Sequence, residues 1–228
     1  MKIDDLLHKN ILIAGQTGSG KSNFIVKLIT TFIKGSNPDD FRLILIDPKR
    51  VQLCNYDGLP HLLFKVVYES EKAKSVLKWV WEESLRRINA IERAQILNKL
   101  PKILIIIDEA ADLMVFDKEF FEDYFKKITS LSDETGINII FSTVRPSSEF
   151  VVTERIRECF LNRIAFKLAN KDDSILIIGE RGAEKIINPG SCLIKNLINQ
   201  KAESFQMPFV SEDEEKRTIS DVKEKYCI

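Results

Sequence analysis

Short aliphatic runs recur along this chain, separated by longer segments whose apolar positions return every three or four residues. The runs at 11–14, 43–46, 103–107, 137–142 and 163–167 have the length and the β-branched content of strands buried on both faces. Between them, Phe24, Ile25, Leu28, Ile29, Phe32 and Ile33 form the stripe of a half-buried helix. Further helices are expected over 70–98, 118–133, 153–159 and 172–179. Strand and helix in alternation imply right-handed crossovers and a mostly parallel sheet flanked by helices, an α/β fold. The last two runs, 191–195 and 203–207, are short, polar-flanked and joined by a polar turn, which predicts an antiparallel hairpin at the sheet edge. From 211 to 228 the chain is charged, and a solvated tail with at most a turn of helix is expected.

With 228 residues the chain can bury one sizeable core, so one domain over 1–210 and the tail 211–228 are expected. Thirty-four basic residues balance thirty-four acidic ones, and the total charge supplies no field that would hold nucleic acid or a membrane surface. Any contact with DNA must come from local patches or from assembly. Cys54, Cys159, Cys192 and Cys227 show neither CxxC spacing nor paired histidines, which speaks against zinc and a disulfide framework and fits a reducing cytoplasm. No apolar run is long enough to span a bilayer, and no basic-then-apolar leader opens the sequence.

Candidate chemistry begins directly after the first strand. Gly15, Gln16, Thr17, Gly18, Ser19, Gly20, Lys21 and Ser22 form a complete G-x-x-x-x-G-K-[ST] phosphate-binding loop between an apolar strand and an amphipathic helix. Glycine lets such a loop turn its N–H groups toward phosphate oxygens, and the helix adds its positive end. Lys21 brings a mobile cation, and Ser22 brings a hydroxyl suited to Mg2+. The second acidic element is the strand 103–107 followed by Asp108 and Glu109. There Asp108 is the expected Mg2+ partner and Glu109 the group that orients and deprotonates water. The cofactors expected are therefore ATP and Mg2+.

Several stretches, in order, resemble the motor domain of the FtsK/SpoIIIE family of DNA translocases within the FtsK–HerA group of ring ATPases. They are Ile46-Asp47-Pro48-Lys49, Gly58-Leu59-Pro60-His61-Leu62-Leu63 and Asp108-Glu109-Ala110-Ala111-Asp112-Leu113-Met114, then Gly136-Ile137-Asn138, Arg145-Pro146-Ser147, Asn162-Arg163-Ile164-Ala165-Phe166, Asp173-Ser174 and Gly182-Ala183-Glu184-Lys185. The resemblance runs from about residue 8 to residue 210. It implies a RecA-like P-loop NTPase core that hydrolyses ATP in a hexameric ring and pulls double-stranded DNA through the pore. It also draws Asp47 and Lys49 to the nucleotide site, although Asp47-Pro48-Lys49 equally suits a strand-ending turn. Asp112 either orients Glu109 or caps a helix, and His61 reads as a packed histidine.

The sequence departs from that family in two places. Thr143-Val144-Arg145-Pro146 stands where the family has Thr-Gln-Arg-Pro, so Thr143 is left as the polar sensor for the γ-phosphate. Ile175 stands where the family places arginine. Ring ATPases need a cation from the neighbouring subunit, for which Arg163 is the first candidate and Arg145, Arg155 and Arg157 the others. Arg86, Arg87, Arg93 and Lys99 form a basic stretch that either tracks phosphates or solvates a helix face. The membrane region, extra motor subdomain and winged-helix module of bacterial family members are not expected within these 228 residues. Either a minimal stand-alone motor or one recruited by a membrane or DNA-binding partner is expected. The leading expectation is an ATP-driven DNA translocase in segregation, conjugative transfer or packaging. The alternatives are a protein-secretion or coupling ATPase and an ATP-controlled assembly factor.

Overall fold

The computed structural model describes residues 8–94, 100–147, 149–196 and 201–226. Seven strands form one sheet: β1 Ile11–Ala14, β2 Phe41–Ile46, β3 Lys102–Ile107, β4 Ile137–Thr143, β5 Asn162–Ala165, β6 Ser191–Asn196 and β7 Glu203–Gln206. Their order is β2-β3-β4-β1-β5-β6-β7. The first five are parallel, while β6 runs antiparallel to β5 and β7 to β6, as the closing hairpin pattern implies. Among the described residues seven α-helices connect and cover the strands: α1 Lys21–Gly35, α2 Ser70–Ala94, α3 Ala110–Ser130, α4 Ser132–Thr135, α5 Glu154–Cys159, α6 Lys171–Ile178 and α7 Glu212–Lys225.

Period-two alternation splits the strand residues between two cores. Leu12, Ile103, Ile105, Ile107 and Phe141 join one core with Leu77 and Val80 of α2, Phe121 and Phe125 of α3 and Ile156 of α5. Ile11, Ile13, Leu104, Ile106 and Ile140 join the other, with Phe24, Ile25 and Leu28 of α1 and Ile219 and Val222 of α7. Both faces of the central strands are dry, which is why their sequences are mostly apolar.

Two elements differ from the sequence expectation. The helix expected from 118 begins at Ala110 and is interrupted at Asp117, whose φ of −157° and ψ of 82° are not helical. Asp117 Oδ1 accepts from Phe120 N at 3.2 Å and so caps the second stretch, which begins where the pattern places it. The charged segment after residue 210 is not a solvated tail. Ser211 caps α7 by accepting from Glu214 N, four acidic residues occupy the first turn and lysines the last, all favourable to the helix dipole. Ile219 and Val222 then lie in the core shared with α1. Residues 1–7, Lys99 and Cys227 fall outside the described residues. Among the described residues no helix is long and apolar enough to cross a membrane.

Candidate nucleotide site

The register of the parallel strands assembles the site at their carboxyl ends. Ile46 is paired with Ile107, so Asp47 and Asp108 leave the sheet side by side; Ala14 is paired with Thr143, so the glycine-rich loop starts beside the end of β4. Gly15 N donates to Thr143 O at 3.2 Å and Gln16 N to Lys167 O at 2.9 Å, tying the loop to both neighbouring strands. Gly18 and Gly20 adopt φ of +79° and +98°, left-handed values at which a side chain is strained. α1 then begins with no side-chain cap and no acidic residue in its first turn. Its N-terminal N–H groups are thus free of a competing carboxylate.

Lys21, 4 % exposed, reaches from that turn into the carboxyl edge of the sheet. Its ammonium donates to Ser142 Oγ at 2.9 Å and to Asp108 O at 3.2 Å, and lies 3.5 Å from Asp108 Oδ1. Burial pushes the Asp108 carboxyl above the usual carboxylate range, Lys21 opposes that shift, and nearby Asp47 and Glu109 add to it. Asp108 Oδ1 is buried without a hydrogen-bond donor.

Glu109 is 2 % exposed and surrounded by donors. Oε1 accepts from the Thr143 hydroxyl at 2.7 Å, and Oε2 accepts from Val144 N at 3.2 Å and from Lys49 Nζ at 3.1 Å. It also caps α3 through a long bond from Ala111 N at 3.4 Å. Lys49 and Thr143 are therefore both tied to Glu109. Val144, which lacks the glutamine side chain of the resembling family, contributes its backbone N–H instead. Asp47 behaves differently, because its Oδ2 accepts from Val51, Gln52 and Leu53 N at 2.9 to 3.0 Å and fixes the turn after β2. Asp47, drawn to the nucleotide site by the resemblance, thus serves the strand-ending turn, while Lys49 reaches Glu109. Asp112 is exposed; His61 is buried, bonded through Nε2 to Ser36 O, and held below the usual histidine range by burial.

A cavity of about 390 Å3 adjoins the loop. Gln16, Thr17, Gly18, Gly20, Lys21 and Ser22 border it on one side, and Pro189, Gly190, Gln206, Met207 and Phe209 on another. The sequence reading missed this second wall and Ser142, since neither carries a motif.

The family model described as FtsK/SpoIIIE family matches residues 1–98. DNA translocase FtsK of Clostridium tetani is 36 % identical over 233 residues, covering 96 % of this chain and 31 % of that protein. The FtsK of Tropheryma whipplei is likewise 36 % identical over 235 residues, 94 % of this chain and 32 % of its own length. The chain belongs to the FtsK/SpoIIIE family. It spans about a third of the length of these curated relatives. Among solved structures, pCW3 conjugation coupling protein TcpA with ATPγS superposes at a TM-score of 0.84 with 23 % identity, covering 99 % of this chain and 67 % of that one. ATPases 2 and 3 of EssC from Geobacillus thermodenitrificans give 0.82 with 22 % identity over 97 % of this chain and 45 % of that one. Both carry the same fold.

Against this FtsK/SpoIIIE frame, one expected residue is misplaced. Arg163, on β5 opposite Leu12, is 6 % exposed and cannot be offered to a neighbouring subunit. Its guanidinium donates to Phe160 O at 3.0 Å, Ile177 O at 2.9 Å and Arg157 O at 2.8 Å. Those carbonyls end α5 and α6, where main-chain acceptors lack helical partners, so Arg163 joins two helix C-termini to the sheet. Burial, with Arg157 nearby, lowers its pKa to about 10. Of the other candidates, Arg155 is paired with Glu122 at 3.3 Å, whereas Arg145 is exposed just beyond Thr143. Within the basic stretch on α2, Arg86 and Arg87 both bind Glu83, and Arg87 further donates to Thr135 O. Ile175 is half exposed on α6.

Proposed function

We propose that this chain is the motor domain of an ATP-driven translocase acting on double-stranded DNA as a cytoplasmic ring of identical subunits. The observation that carries the proposal is the convergence of Lys21, Asp108 and Glu109 beside a cavity bordered by the phosphate loop. The loop N–H groups and Lys21 would bind the β- and γ-phosphates. Ser22 and Asp108 suit Mg2+, because Asp108 Oδ1 is a buried oxygen without a donor and Mg2+ takes one or two protein oxygens alongside phosphates and water. When bound, Mg2+ would neutralise charge on the phosphate oxygens.

In hydrolysis, Glu109 takes a proton from a water whose oxygen bonds to the γ-phosphorus. The bond to the β,γ-bridging oxygen breaks and ADP leaves with the electron pair. Thr143 and the Val144 N–H hold the Glu109 carboxylate in place, while Lys49, 43 % exposed at its side chain, is the donor free to swing away and uncover Oε2. Transition-state charge would also call on a cation from the next subunit, and Arg145, exposed just beyond Thr143, is the first candidate for it. A duplex about 20 Å across cannot be encircled by one such unit, which supports the ring.

DNA as the substrate rests on the FtsK relatives, which are named DNA translocases. Phosphate release from Mg-ATP with and without duplex DNA tests the reading. Strong stimulation by duplex is expected, and a flat response would return the chain to the secretion or assembly alternatives.

A further inference from the structure

The second wall of the cavity comes from segments that the phosphate chemistry leaves unused: the turn at Pro189 and Gly190, and the strap 206–210 leading from β7 into α7. Its backbone packs directly on the loop. Gly190 N donates to Ser19 O at 2.9 Å and Met207 N to Gly190 O at 2.9 Å. A Cβ on Gly20 would lie 2.5 Å from Gly190 N, so the loop and this wall meet backbone to backbone. The far end of the strap is pinned to α1 by a reciprocal pair, Asn23 Nδ2 to Val210 O at 2.6 Å and Val210 N to Asn23 Oδ1 at 3.0 Å. Between those anchors Met207 and Val210 are buried, while Phe209 is 77 % exposed and borders the cavity.

A single exposed aromatic is ordinary on a protein surface. This one sits on backbone fixed at both ends and lines the same cavity as the phosphate loop. The polar side chains of that wall are already spent on the fold. Gln206 donates to Pro189 O at 3.2 Å and accepts from Ser191 Oγ at 2.6 Å, and both amide atoms of Asn23 are taken by Val210. The wall therefore offers a ligand apolar and π surface in place of a donor–acceptor code, and a cavity of about 390 Å3 is on the scale of small-molecule sites.

We propose that Phe209, with Met207 and Pro189, is the nucleobase subsite of the phosphate-loop site, gripping the face of a purine by stacking and accepting adenine and guanine nucleotides with similar affinity. The inference rests on the reading of this site as one for a nucleoside triphosphate. Stacking is tolerant of base identity because every base presents a π face.

Calorimetric titration of the wild-type chain and of Phe209→Ala with Mg-ATP, Mg-GTP and inorganic tripolyphosphate tests it. Phe209→Ala is expected to weaken both nucleotides by about tenfold or more, the scale of one lost base–aromatic stack, and to leave tripolyphosphate affinity unchanged. Phe209→Tyr should restore nucleotide binding. Since Phe209 is exposed, its truncation removes little core packing. Unchanged ATP affinity in Phe209→Ala would overturn the subsite and leave the nucleotide reading standing. Equal losses for ATP and tripolyphosphate would overturn it too, because the strap would then act on the loop and not on the base. A wild-type preference for ATP over GTP beyond roughly 100-fold would overturn recognition by stacking alone. A wild-type chain that bound neither ATP nor tripolyphosphate would overturn the nucleotide reading itself.

Discussion

Lys21 and Arg163 are buried to nearly the same degree, 4 % and 6 % exposed, and both descend from the neighbourhood of the central strand β1. Their partners separate them. The Lys21 ammonium faces a carboxylate, a hydroxyl and one carbonyl at the carboxyl edge of the sheet, beside an open cavity. The Arg163 guanidinium donates to three carbonyls at the ends of α5 and α6, and pairs with no carboxylate among the described residues. A buried cation with a mobile stem beside a cavity can exchange its partners for a ligand. One whose planar fork is filled by main-chain oxygens is part of the frame. Burial alone tells nothing about which of the two a cation is.

Replacing each cation should break that comparison in opposite ways. Lys21→Ala is expected to abolish ATP hydrolysis while thermal unfolding stays cooperative. Turnover at the wild-type rate would remove Lys21 from the site. Arg163→Ala should instead cost about 3 kcal/mol of stability, since three carbonyls, two of them in buried bonds, lose their donor at roughly 1 kcal/mol each. Urea unfolding would register this as a lower midpoint, and an unchanged midpoint would contradict the structural role. Mixing Arg163→Ala with Lys21→Ala protein should restore no activity, as Arg163 reaches no neighbour's site.

The neighbouring carboxylate sharpens the contrast. Asp108 has a raised pKa in the fold, so the fold favours its protonated form. Its contribution to stability is present below the ordinary carboxyl pKa and is lost as pH rises through the elevated one. Asp108→Asn should therefore raise the melting temperature at neutral pH, by a margin that vanishes on acidification, while impairing hydrolysis. A destabilised Asp108→Asn at neutral pH would mean that the Lys21 pair outweighs burial. Ser142→Ala, the mildest change, removes one acceptor of Lys21 and is expected to alter ATP affinity by about fivefold, the equivalent of a single hydrogen bond near 1 kcal/mol. Equilibrium titration with a fluorescent ATP analogue would measure it, and no change would show that Ser142 leaves the ammonium's position to Asp108.

The parts of the molecule legible in sequence were those where one local pattern dictates the outcome. Mostly aliphatic runs marked the parallel strands, because a strand dry on both faces is built chiefly of apolar side chains. The loop at Gly15 to Ser22 and the pair Asp108-Glu109 were visible because phosphate chemistry needs those residue types at those spacings. What escaped depended on long-range partners. In sequence Arg163 reads as an available cation, and only the ends of α5 and α6, brought to it by the fold, commit it. α7 was hidden under its charges, though Ser211 and Glu214 make an N-terminal capping pattern and Thr218, Ile219 and Val222 share one face. Ser142 and the strap 206–210 carry no signature at all, since their place in the site is set by the ends of β4 and β7.

The central claim is that Glu109, held by Thr143 and Val144 beside the Lys21–Asp108 pair, activates the attacking water. Single-turnover phosphate release by Glu109→Gln, with Mg-ATP binding measured on the same preparation, tests it most directly. The account predicts retained binding with release slowed by roughly 100-fold or more, the scale of losing a general base. Retained binding with release at the wild-type rate would contradict it and move the activation of water to another residue.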